Sequence, residues 1–328
     1  MSKKQIAAIG FTVFLIVTYI GVEMYVSNIA EEKVNNAIAK AANFADINYK
    51  KVSVDLLGMD VRISDITISP TDSKKKLKID EIVIRDIDDK ANVPTFLSVS
   101  FNGIELNMAE LGEKEELLRK LDYSDKMMVN LNLDYVYNEE KTEIDIKKIG
   151  MGADEVGEIT ASFRLGNISL KPEEIAGLLF NFPQLIFHEA KIEYKDDSLV
   201  ERLMRLGSEG KKVSVEDFKR SLIQYVEEEV IEEKDDFMKK MLSEFKDFLD
   251  SPRKISISAS PSKPQPFGRI MNTTPKDVVE LLNIQVKSEN QCQICDLYQS
   301  ISIKKHPEIK NESSSILETK KNYTTANI

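Results

Sequence analysis

Val129–Tyr137 reads VNLNLDYVY. Val129, Leu131, Leu133, Tyr135 and Tyr137 alternate with Asn130, Asn132, Asp134 and Val136. A period of two sends successive side chains to opposite faces of a β-strand. Here one face is apolar and the other almost wholly polar, so the strand is covered on one side and wet on the other. That pattern belongs to antiparallel sheets, since strands of parallel sheets are buried on both faces. A polar turn at Asn138–Lys141 then leads to Ile144 and Ile146, which predicts a hairpin.

The same period extends outward from about Ile47 to Leu170. Val52, Val54 and Leu56 alternate with polar residues until Gly58. Val61 and Ile63 are followed by Ile66 and Ile68, and the phase slip at Ser64–Asp65 is what a β-bulge produces. A second slip at Asp80–Glu81 separates Leu77 and Ile79 from Ile82, Ile84 and Ile87. Val99 and Phe101 lead through Gly103 to Ile104 and Leu106, and Ile159, Ala161, Phe163 and Leu165 alternate in turn. The reading is seven or eight short strands, interrupted by one helix near Ala109–Leu121.

Beyond this region a short helix is expected at Pro172–Leu179 and a strand at Ile186–Tyr194. Ser198-Leu-Val-Glu201 fits a capping box for a helix that Gly207 should end. Ser214 caps the next helix, with Phe218, Leu222, Tyr225 and Val226 on one face. Phe237, Met241, Phe245 and Phe248 continue at steps of four, four and three up to Pro252. Ile255, Ile257 and Ala259 form another strand, and Val278–Val286 carries a helix or strand pattern. After Lys287 the apolar density falls, which predicts a poorly ordered tail.

The 328 residues carry a formal charge of −10, with 42 % apolar and 30 % charged residues. That supports a real core. Two His, two Cys and no Trp exclude a disulfide-dense scaffold and a His-rich metal protein, and the acidic balance argues against a nucleic-acid binder. Ile6–Val22, IAAIGFTVFLIVTYIGV, is uncharged and follows Lys3 and Lys4. The stretch approaches the roughly 20 residues that span a bilayer, so it reads as a signal anchor with the N-terminus cytoplasmic and the body outside. A cleaved signal peptide and a buried helix are the alternatives.

No motif announces a reaction. Cys292-Gln-Ile-Cys295 lacks a second thiol pair for zinc and lies in the expected tail, where a local disulfide or no role fits better than redox catalysis. Gly150-Met-Gly152 lacks the third glycine of a dinucleotide fingerprint and is expected in a turn. Asp60, Asp65, Asp80, Glu81, Asp86, Asp88 and Asp89 are scattered beside lysines, as on a solvated sheet face. The acidic run Glu227–Asp236 lacks the spacing of a calcium loop. His188 has no nucleophile motif nearby.

Tyr49–Pro70, YKKVSVDLLGMDVRISDITISP, followed by LKIDEIVIRDID at 77–88, resembles the opening of bacterial AsmA-like envelope proteins. AKIEYKDDSLVERL (190–203), ISISASPSKPQPFG (255–268) and VVELLNIQV (278–286) resemble the C-terminal part of uncharacterised proteobacterial single-pass proteins. The resemblance covers about residues 45–286. It implies one membrane helix followed by a β-rich body, and lipid handling in the envelope of a Gram-negative bacterium. Its motifs are turns and strands, so no functional residue is carried over.

The expected fold is α+β, with an N-terminal transmembrane helix followed by an antiparallel β-rich domain with a helical insert. The boundaries are a signal anchor at 1–26, a helical stalk at 27–45, the β-rich domain at 46–198, the insert at 199–251, a returning strand and C-terminal part at 252–286, and a tail at 287–328. The expected function is that of a non-enzymatic protein of the inner membrane, single-pass with a periplasmic body, that binds lipid or helps maintain the outer membrane. The expected surface comprises Val54, Leu56, Val61, Ile63, Ile82, Ile84, Val129, Leu131, Leu133 and Phe163. The membrane, phospholipid and envelope proteins are the expected partners, with no cofactor, metal or nucleic acid. The alternative is a scaffold that docks through the acidic insert. Whether the apolar face is an open groove or a closed core stays open at this point.

Overall fold

The computed structural model describes residues 27–39, 42–55, 58–71, 76–88, 94–110, 112, 114–171, 174 and 181–289. A helix over 27–39 (α1) is followed by β1 (Ala45–Asn48), β2 (Lys51–Asp55), β3 (Asp60–Pro70), β4 (Leu77–Ile87) and β5 (Phe96–Asn107). A short helix α2 (Lys114–Lys120) precedes β6 (Lys126–Asn138), β7 (Glu143–Ala153), β8 (Gly157–Gly166) and β9 (Ile186–Asp196). Three helices follow, α3 (Leu199–Lys211), α4 (Val215–Glu232) and α5 (Asp236–Asp250). The chain then forms β10 (Lys254–Ala259), β11 (Gln265–Pro266), α6 (Phe267–Met271), α7 (Pro275–Leu281) and β12 (Ile284–Glu289).

The strands build one 12-stranded sheet in the order β1-β3-β4-β5-β6-β7-β8-β9-β10-β12. β2 shares the outer edge of β3 with β1, and β11 adds to β9. From β3 to β9 each strand pairs antiparallel with the next in sequence. The insert α3–α5 separates β9 from β10, which pair all the same.

Register places the apolar positions of neighbouring strands opposite one another. One row runs Val52, Ile63, Ile82, Phe101, Leu131, Met151, Ile159, Tyr194, Ile255. The next runs Val54, Val61, Ile84, Val99, Leu133, Ile149, Ala161, Ile192, Ile257. A one-residue slip in any strand would send its apolar set to the polar face, so the alternation itself fixes the pairing.

Local phase shifts keep the rows in step. Ser64 pairs with Glu81 and Ile66 with Ile79, leaving Asp65 out of the ladder at φ 53° and Asp80 out opposite it. The two phase slips read from the sequence therefore face each other, and because the β3–β4 register does not shift, neither is a bulge of one strand against the other. The ladder between β5 and β6 shifts between Phe101 and Ile104. Gly103 sits there at φ 67°, and its N–H donates to Asn130 Oδ1 at 2.9 Å. A Cβ on Gly103 would overlap the Asp80 carboxylate. Backbone conformation and close approach both require glycine.

Helices cover the face unevenly. α1 lays Ala30 and Val34 over Val52, Val54, Ile63, Ile66, Ile79, Ile104 and Val129, and Ser27 Oγ accepts from Val54 N at 3.1 Å. The insert packs Val200, Met204, Val226, Phe248 and Leu249 together and against Tyr194 and Ile255. Met108, Leu121 and Tyr123 form a third cluster against Val156, Leu199 and Leu206. Arg202 ties this corner together. Its guanidinium lies 4.2 Å from the Tyr123 ring centre and donates to Leu121 O at 3.1 Å, Ser198 Oγ at 2.9 Å and Glu155 Oε2 at 2.6 Å.

Several expectations are corrected. Residues 1–26, which carry the expected signal anchor, lie outside the described residues. Among the described residues no helix is long and apolar enough to cross a membrane. The described fold class is therefore a large antiparallel sheet with helices, and the transmembrane helix, the inner-membrane single-pass placement, the periplasmic body and the membrane as partner are not carried further. Gly150 and Gly152 are strand residues of β7, opposite Asn132 and Asn130, and no turn forms there. Gly207 does not end its helix, because the helix runs on to Lys211 and stops with Lys212 left-handed at φ 57°. The glycine instead lets α4 approach, since a Cβ there would overlap the Phe218 ring. Ser198 makes no capping hydrogen bond to its helix, and its hydroxyl donates to Glu155 O. Ser214 does cap α4, accepting from Asp217 N at 3.1 Å. Pro172–Leu179, apart from Glu174, and residues 290–328 of the expected tail, with Cys292 and Cys295, lie outside the described residues, while Lys287–Glu289, expected in the tail, complete β12.

Two stability predictions follow from this geometry. Gly103→Ala lowers unfolding free energy by about 1–3 kcal/mol, read as a lower urea midpoint, because it strains the backbone and displaces Asp80. Arg202→Ala costs about 2–3 kcal/mol by the same measurement, since the Leu121 and Asp122 carbonyls and the Tyr123 ring lose a shared charged partner.

Candidate functional site

Nine of the ten residues expected to form an apolar surface share one face of the sheet; the tenth, Leu56, lies outside the described residues. They do not share one environment. Val54, Ile63 and Val129 are buried beneath α1 and serve as core. Val61, Ile82, Ile84, Leu133 and Phe163 are half-buried, and Leu131 is exposed.

The open part of the face is centred further along the sheet. Leu131, Ile149, Met151, Ile159, Ile192 and Ile257, on β6 to β10, are each between 36 % and 54 % exposed. Register makes them neighbours. Leu131, Met151 and Ile159 stand in one row, and Ile149, Ile192 and Ile257 stand in the next, with Leu133 and Ala161 between them. α1 covers the sheet on one side of this stripe, and α3–α5 cover the row end at Tyr194 and Ile255. At the far strand ends Phe187, Phe182 and Phe267 stack, with ring centres 4.5 Å and 6.0 Å apart.

The stripe's borders are tied down by tyrosines. Tyr135 donates to Pro94 O at 2.9 Å, and Tyr194 donates to Asp196 Oδ1 at 2.7 Å. Burial pushes the pKa of both phenols up, and the nearby carboxylates of Asp88 and Asp196 add to the effect. Both hydroxyls stay protonated and neutral across the physiological range.

Most charged side chains of the strands lie on the opposite face, where they pair across strands. Lys148 meets Glu158 at 2.8 Å, Arg164 meets Glu189 at 2.8 Å, and Arg62 meets Glu81 at 3.3 Å. Arg85 donates to Ser100 Oγ, which donates to Asn132 Oδ1, both at 2.7 Å. Burial raises the pKa of Glu193, but hydrogen bonds from Lys191 and Lys254 outweigh it and hold the carboxyl below the usual range. This network solvates and orders the polar face.

The other candidates do not assemble. Among the described residues no group of three or more His, Cys, Asp or Glu is placed to hold a metal ion. His188 Nε2 lies 3.7 Å from Glu143 Oε1 beside Gly166, an edge contact at a bulge in β9. In the acidic run, Asp235 is spent capping α5, accepting from Phe237 N and Met238 N at 3.0 Å. A hollow of about 590 Å³ between the α4–α5 turn and α7 is lined by Phe237, Met238 and Val279 under a rim of mixed charge.

The five exposed residues beyond Leu131 were not singled out from sequence. Periodicity reports which face a side chain joins. It does not report whether a helix will cover that face.

A family model described as an uncharacterized protein matches residues 150–289. The match holds Met151, Ile159, Ile192 and Ile257 and all of the insert. No curated protein matches the chain.

Proposed function

We propose that this protein is a non-enzymatic lipid-binding protein that takes acyl chains on the open stripe of its sheet. The observation that carries the reading is one contiguous set of half-exposed aliphatic side chains in register on five adjacent strands, with no charged side chain in their rows. Contiguous apolar patches of this kind mark interaction sites. The chemistry is aliphatic throughout, with no polar group aimed into it, which suits hydrocarbon.

Area favours a lipid over a protein. Six side chains about half exposed present on the order of 500 Å², whereas a standard protein interface buries about 800 Å² per partner. Covering that area gains on the order of 10 kcal/mol before association costs of at least about 4 kcal/mol are met. This leaves enough for reversible binding of a single amphiphile.

Native mass spectrometry with lipid extraction on the purified full chain tests this. The expected result is copurified or rebound lipid, lost in the double variant Met151→Glu, Ile192→Glu. That variant should keep its melting temperature, because both side chains are already exposed and surface substitutions stay within about 0.5 kcal/mol. Absence of lipid from the wild-type chain, and failure to take any when supplied, overturns the reading.

A further inference from the structure

We infer that the stripe holds one long unbranched acyl chain laid across the strands, selected by chain length and not by headgroup. The inference rests on the acyl-binding reading above and adds the ligand's direction and class.

Direction comes from register. Leu133, Ile149, Ala161, Ile192 and Ile257 face one another directly on β6, β7, β8, β9 and β10. Ala161, the shortest of them, stands between Ile149 and Ile192 and lowers the middle of the row. The neighbouring row through Met151 runs alongside as a wall. A hydrocarbon chain laid along the row touches a side chain at every strand. Laid along a strand, it would soon leave the open stripe, because the helices cover the strand ends.

Length comes from where the row closes. Beyond β6 it passes to Val99 on β5, which is buried. Beyond β10 lies β12, none of whose side chains is among the exposed apolar ones. Four interstrand steps of about 4.8 Å give an open run of about 19 Å. A bond of about 1.5 Å at the tetrahedral angle advances an extended chain by about 1.25 Å per carbon, so about sixteen carbons fill the run.

Headgroup indifference comes from charge. Lys148 and Glu158 flank the row in sequence but pair with each other on the opposite face. Among the described residues, no charged side chain belongs to the two rows between β6 and β10. A carboxylate or phosphate would therefore find no charged partner along the row.

The test is isothermal titration of the full chain with two series of about 8 to 20 carbons, free fatty acids and lysophosphatidylcholines, which share the chain and differ in the headgroup. Affinity should rise by about two- to four-fold per methylene, as for half to full burial of each group, and level off near sixteen carbons at the same length in both series. Ala161→Phe, which places a ring across the low point, should weaken the longest chains at least ten-fold and the shortest little. A rise that continues past the plateau length, or affinities set by headgroup, overturns this inference and leaves acyl binding standing. Binding of neither series at any length overturns both.

Discussion

The antiparallel ladder from β3 to β10 is the constraint on which everything else here depends. Each strand pairs with the next along a shared register, so the apolar alternation of one strand must match that of its neighbour. Where the residue count does not match, a bulge absorbs the difference. The Asn102–Gly103 step of β5 does this against β6, while Asp65 and Asp80, facing each other outside the β3–β4 ladder, shift the phase of both strands together. Without them Ile66, Ile79 and Ile104 would turn to the polar face. The rows of aliphatic side chains are thus a product of pairing, and the stripe is a product of the rows.

A sheet this wide with one apolar face needs more cover than its helices supply. α1 closes the end at β1–β4, and the three-helix insert closes the edge at Tyr194 and Ile255. Each aliphatic side chain buried this way contributes about 1.5–3 kcal/mol. The side chains between them contribute far less to folding, because they remain about half exposed. The stripe stays open among the described residues.

The insert shows how local sequence and tertiary packing divide the labour. Ser214 and Asp235 cap their helices as their side chains and positions dictate, and the apolar face of α4 turns inward at Val226. Gly207 went the other way. As a helix terminator it was the natural reading, since glycine is the commonest residue just past a helix end. Packing against Phe218 overrode that preference, and the helix continued through it.

The period-two pattern by itself determined that the body is an antiparallel sheet, which residues share its apolar face, and where two of its phase slips fall. These are properties of neighbouring residues, and pairing only reads them out. It did not determine that Gly150 and Gly152 lie within a strand, because a glycine is equally at home in a turn until a partner strand claims it. Nor did it separate Val54 and Val129, which are core, from Met151 and Ile192, which are open. All four carry the same alternation and the same chemistry. Only the positions of α1 and the insert, set by contacts between residues far apart in sequence, decided which part of the face was covered and which was left open.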